Sequence, residues 1–127
     1  MVAEAIKILL VDDDDFLLDM YSVKFKEEGF LIDVASSGAD ALDKLKKGAY
    51  DVVLLDIVMP ALDGFEVLTR IKKERLAEKA IIIILSNLGQ KEDIERGLSL
   101  GAHDYVIKAH FTPREVVEKV KQHLGKK

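Results

Sequence analysis

Asp12 and Asp13, Asp56, Ser86 and Lys108 each stand at the end of an apolar run in this chain of 127 residues. A lone carboxylate in such a place usually does no more than stop a strand. Three carboxylates matched by a hydroxyl and an amine can do chemistry. If the fold draws them together, the aspartates cannot all ionise comfortably unless a cation sits among them. Oxygen ligands alone, with no histidine near them in sequence and no cysteine anywhere, suit a hard cation, and Mg2+ fits better than zinc. Mg2+, a lysine and a hydroxyl around one carboxylate would stabilise charge on phosphoryl oxygens. The carboxylate itself can act as the nucleophile, giving an aspartyl phosphate.

The elements that must bring these residues together can be read from hydrophobic periodicity. Residues 52–55, Val-Val-Leu-Leu, form a wholly apolar run ending in Asp56, as expected of a central parallel strand covered on both faces. Pro60 and Gly64 then impose a loop that leaves Asp56 at an edge of the sheet. Residues 6–11, 31–35, 80–85 and 105–107 read as the other strands. Four consecutive isoleucines make residues 80–85 the most strand-like segment. Between them, Phe16, Leu17, Met20, Tyr21 and Phe25 give a helical stripe that Asp14 or Asp15 would cap and Gly29 would close. Ala41, Leu42 and Leu45 mark a second helix, and Phe65, Val67, Leu68 and Ile71 a third, running out in cations suited to its dipole. Residues 90–100 form a weaker fourth helix, apolar at Ile94, Leu98 and Leu100 with Gly97 inside it. Thr112-Pro113-Arg114-Glu115 is a capping box with proline at the first helical position. The helix it starts buries Val116, Val117, Val120 and Leu124.

This strand–helix alternation predicts an α/β fold, a doubly wound five-stranded parallel sheet with five helices. The flavodoxin-like order 2-1-3-4-5 is the expected winding at this length. Its switch point lies between strands 1 and 3, which both end in aspartates, so all five polar residues should meet on one rim.

On these residues the chain resembles the receiver domains of two-component response regulators. Asp12-Asp13, Asp56 with Met59-Pro60 and Asp63-Gly64, Ser86, Tyr105 and Lys108 stand in the family's order and spacing, and the likeness runs from Ile6 to Leu124. It implies that Asp56 is the phosphoacceptor. Asp13, Asp56 and the backbone carbonyl of Val58 would ligate Mg2+, with Asp12 acting mainly through water. Lys108 would pair with the phosphoryl group, Ser86 would swing toward it, and Tyr105 would change rotamer on the face of helix 4, strand 5 and helix 5. The donor would be a sensor histidine kinase, a phosphorelay histidine protein or a small acyl phosphate. The output would be control of a downstream protein, and the domain would be a switch rather than an enzyme.

Three positions depart from the family. Ala109 follows Lys108 where proline is usual, which predicts a trans Lys108–Ala109 peptide, because a cis bond costs about 2.5–4 kcal/mol before a residue other than proline. Asn87 follows the switch hydroxyl where a small residue is usual and would narrow access to Asp56. Ser86 stands where threonine is commoner. Val58 and Leu88, two residues beyond Asp56 and Ser86, flank the path of hydrolytic water in the family. Neither side chain can orient a water, so a long-lived aspartyl phosphate is expected.

Other readings are weaker. Asp12-x-Asp14 resembles the first motif of haloacid dehalogenase-type phosphohydrolases, but that family follows its nucleophile differently. A degenerate, phosphate-independent receiver conflicts with the full set of Asp12, Asp13, Asp56 and Lys108. Asp14 and Asp15 read as cap and surface, Asp63 as a loop residue, and His103, His110 and His123 as surface groups. Lys126 and Lys127 read as a solvated tail. A formal charge of −4 argues against direct nucleic-acid binding. No targeting segment or membrane-length apolar run is evident, so a cytoplasmic single domain spanning residues 1–127 is the expectation.

Overall fold

The computed structural model describes residues 5–125. The first four residues and Lys126–Lys127, and with them the readings of a leaderless start and a solvated tail, lie outside the described residues. Five strands alternate with five α-helices: β1 Lys7–Val11, α1 Asp15–Glu27, β2 Leu31–Ala35, α2 Gly38–Lys47, β3 Val52–Leu55, α3 Gly64–Lys73, β4 Ile81–Ser86, α4 Lys91–Ser99, β5 Asp104–Ile107 and α5 Pro113–Leu124. The strands form one parallel sheet in the order β2-β1-β3-β4-β5, as expected.

Alternation along the strands sorts their side chains onto two faces. Leu9, Val11, Val53, Leu55, Ile82 and Ile84 pack beneath α2 and α3. Ile8, Leu10, Val52, Leu54, Ile83 and Leu85 pack against α1 and α5 on the other side. Most are fully buried, which explains why the central strands read as unbroken apolar runs.

Two helical stripes differ from the reading. On α1 the buried residues are Leu18, Tyr21 and Phe25, while Phe16 is 73% exposed. At a period of 3.6 residues Phe16 lies on the far side of the helix from Leu18, so it cannot share that face. On α4 Leu98 is exposed and Gly97 is buried. A Cβ on Gly97 would come within 2.4 Å of Ile84 Cδ1 and 3.1 Å of the Tyr105 ring, so glycine there lets α4 settle onto the sheet. A 3-10 turn, Lys108–His110, also links β5 to α5 where only a loop was expected.

Candidate functional site

Strand register delivers the polar residues to one rim. Val11 pairs with Leu55, so Asp12 and Asp56 emerge side by side from β1 and β3. The Asp56 N–H donates to the Val11 carbonyl at 3.0 Å, and the Asp12 N–H to the Ala35 carbonyl at 3.1 Å. Ser86 pairs with Ile107, so Lys108 leaves the same end of the sheet one residue later.

The local turns then fix the side chains. Asp12 Oδ1 accepts the Asp14 N–H at 3.0 Å, and Asp14 caps α1 by accepting from the Phe16 and Leu17 N–H groups. Asp56 Oδ1 accepts the Ile57 N–H at 2.7 Å. Gly64 begins α3 directly against this turn. Its N–H donates to the Ile57 carbonyl at 2.8 Å, and a Cβ there would fall 2.4 Å from the Asp56 carbonyl oxygen. Asp63, read as a loop residue, in fact caps α3 through a reciprocal box with Glu66. That Asp-x-x-Glu spacing was legible in the sequence.

Asp12, Asp56 and Ser86 are all but fully buried, while Asp13 is exposed. One carboxylate oxygen from each of Asp12, Asp13 and Asp56 lies within 4.8 Å of the others. Lys108 Nζ donates to Asp12 Oδ2 at 2.6 Å and to Asp56 Oδ2 at 3.1 Å. Burial pushes the Asp12 carboxyl above its usual range despite the pull of Lys108. Burial also works against the charge on Lys108, but its bonds to Asp12 and Asp56 outweigh that and raise its pKa. Hard oxygen donors, two of them buried, suit Mg2+.

The other expected residues lie around this cluster. Ser86 Oγ accepts the Leu88 N–H at 3.2 Å. The Tyr105 hydroxyl donates to the Leu88 carbonyl, and the half-buried ring packs against the core. The Lys108–Ala109 peptide is trans, as expected, since no cis bond occurs among the described residues. Val58, 60% exposed, and Leu88 line one groove, but so do Asp93 and Arg96. Arg96 stacks on the Phe65 ring at 4.3 Å, and neither charged residue was anticipated there. Periodicity placed them on α4 without indicating what α4 faces.

The histidines stay away from the rim. His103 Nδ1 accepts the Ile82 N–H at 3.0 Å and His123 Nε2 lies 2.8 Å from Asp104 Oδ2, both at the opposite end of the sheet. His110 is exposed.

A doubly wound parallel sheet with a buried carboxylate–lysine cluster beyond β1 and β3 defines an α/β domain whose site lies at its topological switch point. Comparison with known proteins identifies the family. Residues 8–121 match the response regulator receiver domain, and the chain belongs to that family. The regulatory protein VanRc of Enterococcus gallinarum is 37% identical over 93% of this chain and 49% of its own length. The hybrid signal transduction histidine kinase B of Dictyostelium discoideum is 36% identical over 94% of this chain but only 7% of its own. The chain therefore spans about half or less of these relatives. Among solved structures, a CheY-like receiver domain from Methanospirillum hungatei aligns with a TM-score of 0.88 at 29% identity, covering 95% of this chain and 94% of its own. The Thermotoga maritima response regulator TrrA, in complex with Mg2+ and beryllofluoride, aligns at 0.80 and 37% identity over 92% and 97%. Receiver domains are the phosphoacceptor switches of two-component systems rather than enzymes in the ordinary sense, and they work with histidine kinases or phosphotransfer proteins. Among the described residues no helix is long and apolar enough to cross a membrane.

Proposed function

We propose that this chain accepts a phosphoryl group on Asp56 and that the resulting change at Ser86 and Tyr105 controls a partner protein. The observation that carries this is the approach of Asp12, Asp13 and Asp56 to within 4.8 Å, with Lys108 held on Asp56. A carboxylate oxygen of Asp56 forms the new O–P bond as the donor's N–P bond breaks, and the electron pair leaves with the imidazole nitrogen. Asp12, Asp13, Asp56 and the Val58 carbonyl would hold Mg2+, which supplies charge neutralisation for the incoming phosphoryl group. Lys108, already desolvated, transfers its bonds from Asp12 to a phosphoryl oxygen. Ser86 donates its hydroxyl to another, and Tyr105 follows on the α4–β5–α5 face. Slow attack by water restores Asp56. A histidine kinase or phosphorelay protein is the donor, the output is protein docking without direct nucleic-acid binding, and a cytoplasmic setting goes with it.

Incubation with a small acyl phosphate and Mg2+, followed by intact mass, tests the assignment. A phosphate adduct is expected in the wild type, with none in Asp56→Asn or in excess chelator. Labelling of Asp56→Asn at an undiminished rate would refute the site. Turnover without an adduct would indicate a hydrolase instead, and neither outcome a domain that binds partners without phosphate.

A further inference from the structure

The loop after β4 and the turn after β5 are joined by one bond that periodicity does not predict. Asn87 Oδ1 accepts the Ala109 N–H at 2.8 Å, across 22 residues of chain. Ala109 lies in the first part of the 3-10 turn Lys108–His110, where backbone N–H groups have no partner within the turn. Asn87 supplies that partner. Proline at 109 would have no N–H to donate, so two of the family departures in this chain form a matched pair. The Asn87 oxygen is engaged with the neighbouring loop.

The bond sits between the two groups that must act on a phosphoryl group. Ser86, at 0% exposure, precedes Asn87, and Lys108 precedes Ala109. Residues 86–88 are further held by the Leu88 N–H on Ser86 Oγ and by the Tyr105 hydroxyl on the Leu88 carbonyl. Any movement of residues 86–88 toward Asp56 would have to stretch the Asn87–Ala109 bond.

We propose that Asn87 is a positioning residue that latches the Ser86 loop to the Lys108 turn and holds the resting state. This rests on the receiver function proposed above. Breaking the latch removes one hydrogen bond from the resting state only, so the population with Ser86 drawn toward the phosphoryl position rises roughly two- to tenfold. Binding of a phosphoryl mimic that selects that state tightens by the same factor, while Mg2+ bound alone, which does not require Ser86, is unaffected.

The experiment compares Mg2+ affinity and beryllofluoride affinity in saturating Mg2+ for the wild type, Asn87→Ala, Ala109→Pro and the double variant, with hydrogen exchange at the Ala109 amide. Asn87→Ala is expected to bind beryllofluoride roughly two- to tenfold more tightly with unchanged Mg2+ affinity, and to expose the Ala109 amide to faster exchange. Asn87→Asp, which keeps an acceptor oxygen, is expected to restore slow exchange. In the double variant Asn87→Ala should add nothing to Ala109→Pro, because the bond is already lost. Unchanged or weaker beryllofluoride binding by Asn87→Ala, equal exchange at Ala109, or additive effects in the double variant would overturn the latch. Those results would leave the receiver function standing as long as the wild type binds the mimic. A wild type that binds no beryllofluoride would overturn both.

Discussion

Lys108 shows how much one side chain changes what three aspartates can do. Asp12 and Asp56 are buried carboxylates of like charge, and Lys108 bonds to both. Removing it would leave charge in a low-dielectric site without a partner, which is the costly way to break a buried pair. The lifetime of the proposed aspartyl phosphate would also be set at this scale. In-line hydrolysis depends on placing a water, and Val58 and Leu88 have no group to place one. Asp93 and Arg96 on the same groove make the wall less apolar than the sequence suggested, but Val58 and Leu88 themselves have no group that could hold a water. The double variant Val58→Asn with Leu88→Glu is expected to lose phosphate from Asp56 faster than the wild type. Decay of the adduct followed by mass over time checks it, and equal or slower loss would show that water placement lies elsewhere.

Among the elements, α3 makes the tightest demand on sequence. It starts at Gly64, capped by Asp63 and Glu66, with its first residue pressed against the Asp56–Ile57 backbone. Gly64→Ala would force a Cβ to within 2.4 Å of the Asp56 carbonyl oxygen and 2.7 Å of Ile57 Cα. Backbone cannot yield as a side chain can, so a loss of about 1–3 kcal/mol is expected in urea unfolding. Slower labelling of Asp56 should accompany it. A variant as stable as the wild type would mean that α3 can shift without cost. At α5, Thr112 caps the helix through its box with Glu115. Thr112→Ala should cost about 1 kcal/mol while leaving the carboxylate cluster, and therefore Mg2+ affinity, intact.

For the molecule as a whole, pH sensitivity follows from where its three tyrosines lie. Burial raises Tyr21, Tyr50 and Tyr105 above the ordinary phenol, the last two to about 12. For Tyr50 the Asp33 carboxylate, accepting its hydroxyl at 2.6 Å, adds to this. A group whose folded pKa lies above its unfolded value supports the fold fully below the unfolded value and loses that support as pH rises. Stability should therefore decline from about pH 10 upward, and phenolate absorbance should rise together with loss of structure rather than before it. Tyrosine ionising near pH 10 in a fully folded protein would contradict this. Asp33 has the opposite sign. The Tyr50 hydroxyl, with Lys44, holds its carboxyl below the usual range. Its support is present above about pH 4 and fades as pH falls through the lowered value. Tyr50→Phe should weaken the protein's resistance to acid.

Strand number, strand order and the rim that collects Asp12, Asp56, Ser86 and Lys108 were all legible in the sequence. In a parallel α/β sheet, burial on both faces writes each strand as an apolar run, and the first polar residue beyond it marks the sheet's end. Local chemistry was legible too, as the caps at Asp14 and Thr112 show. What periodicity could not decide was which side of a helix meets the sheet, because that depends on how closely each helix is allowed to approach. It put Phe16 in the apolar stripe of α1 and counted Leu98 among the apolar positions of α4, whereas packing buried Leu18 and Gly97. Nor could it show that Asn87 and Ala109 touch, or that Arg96 lies on Phe65 beside Val58. Contacts between loops from different strands carry no periodic signal. They exist only once the sheet has brought the loops together, and tertiary structure alone decided them.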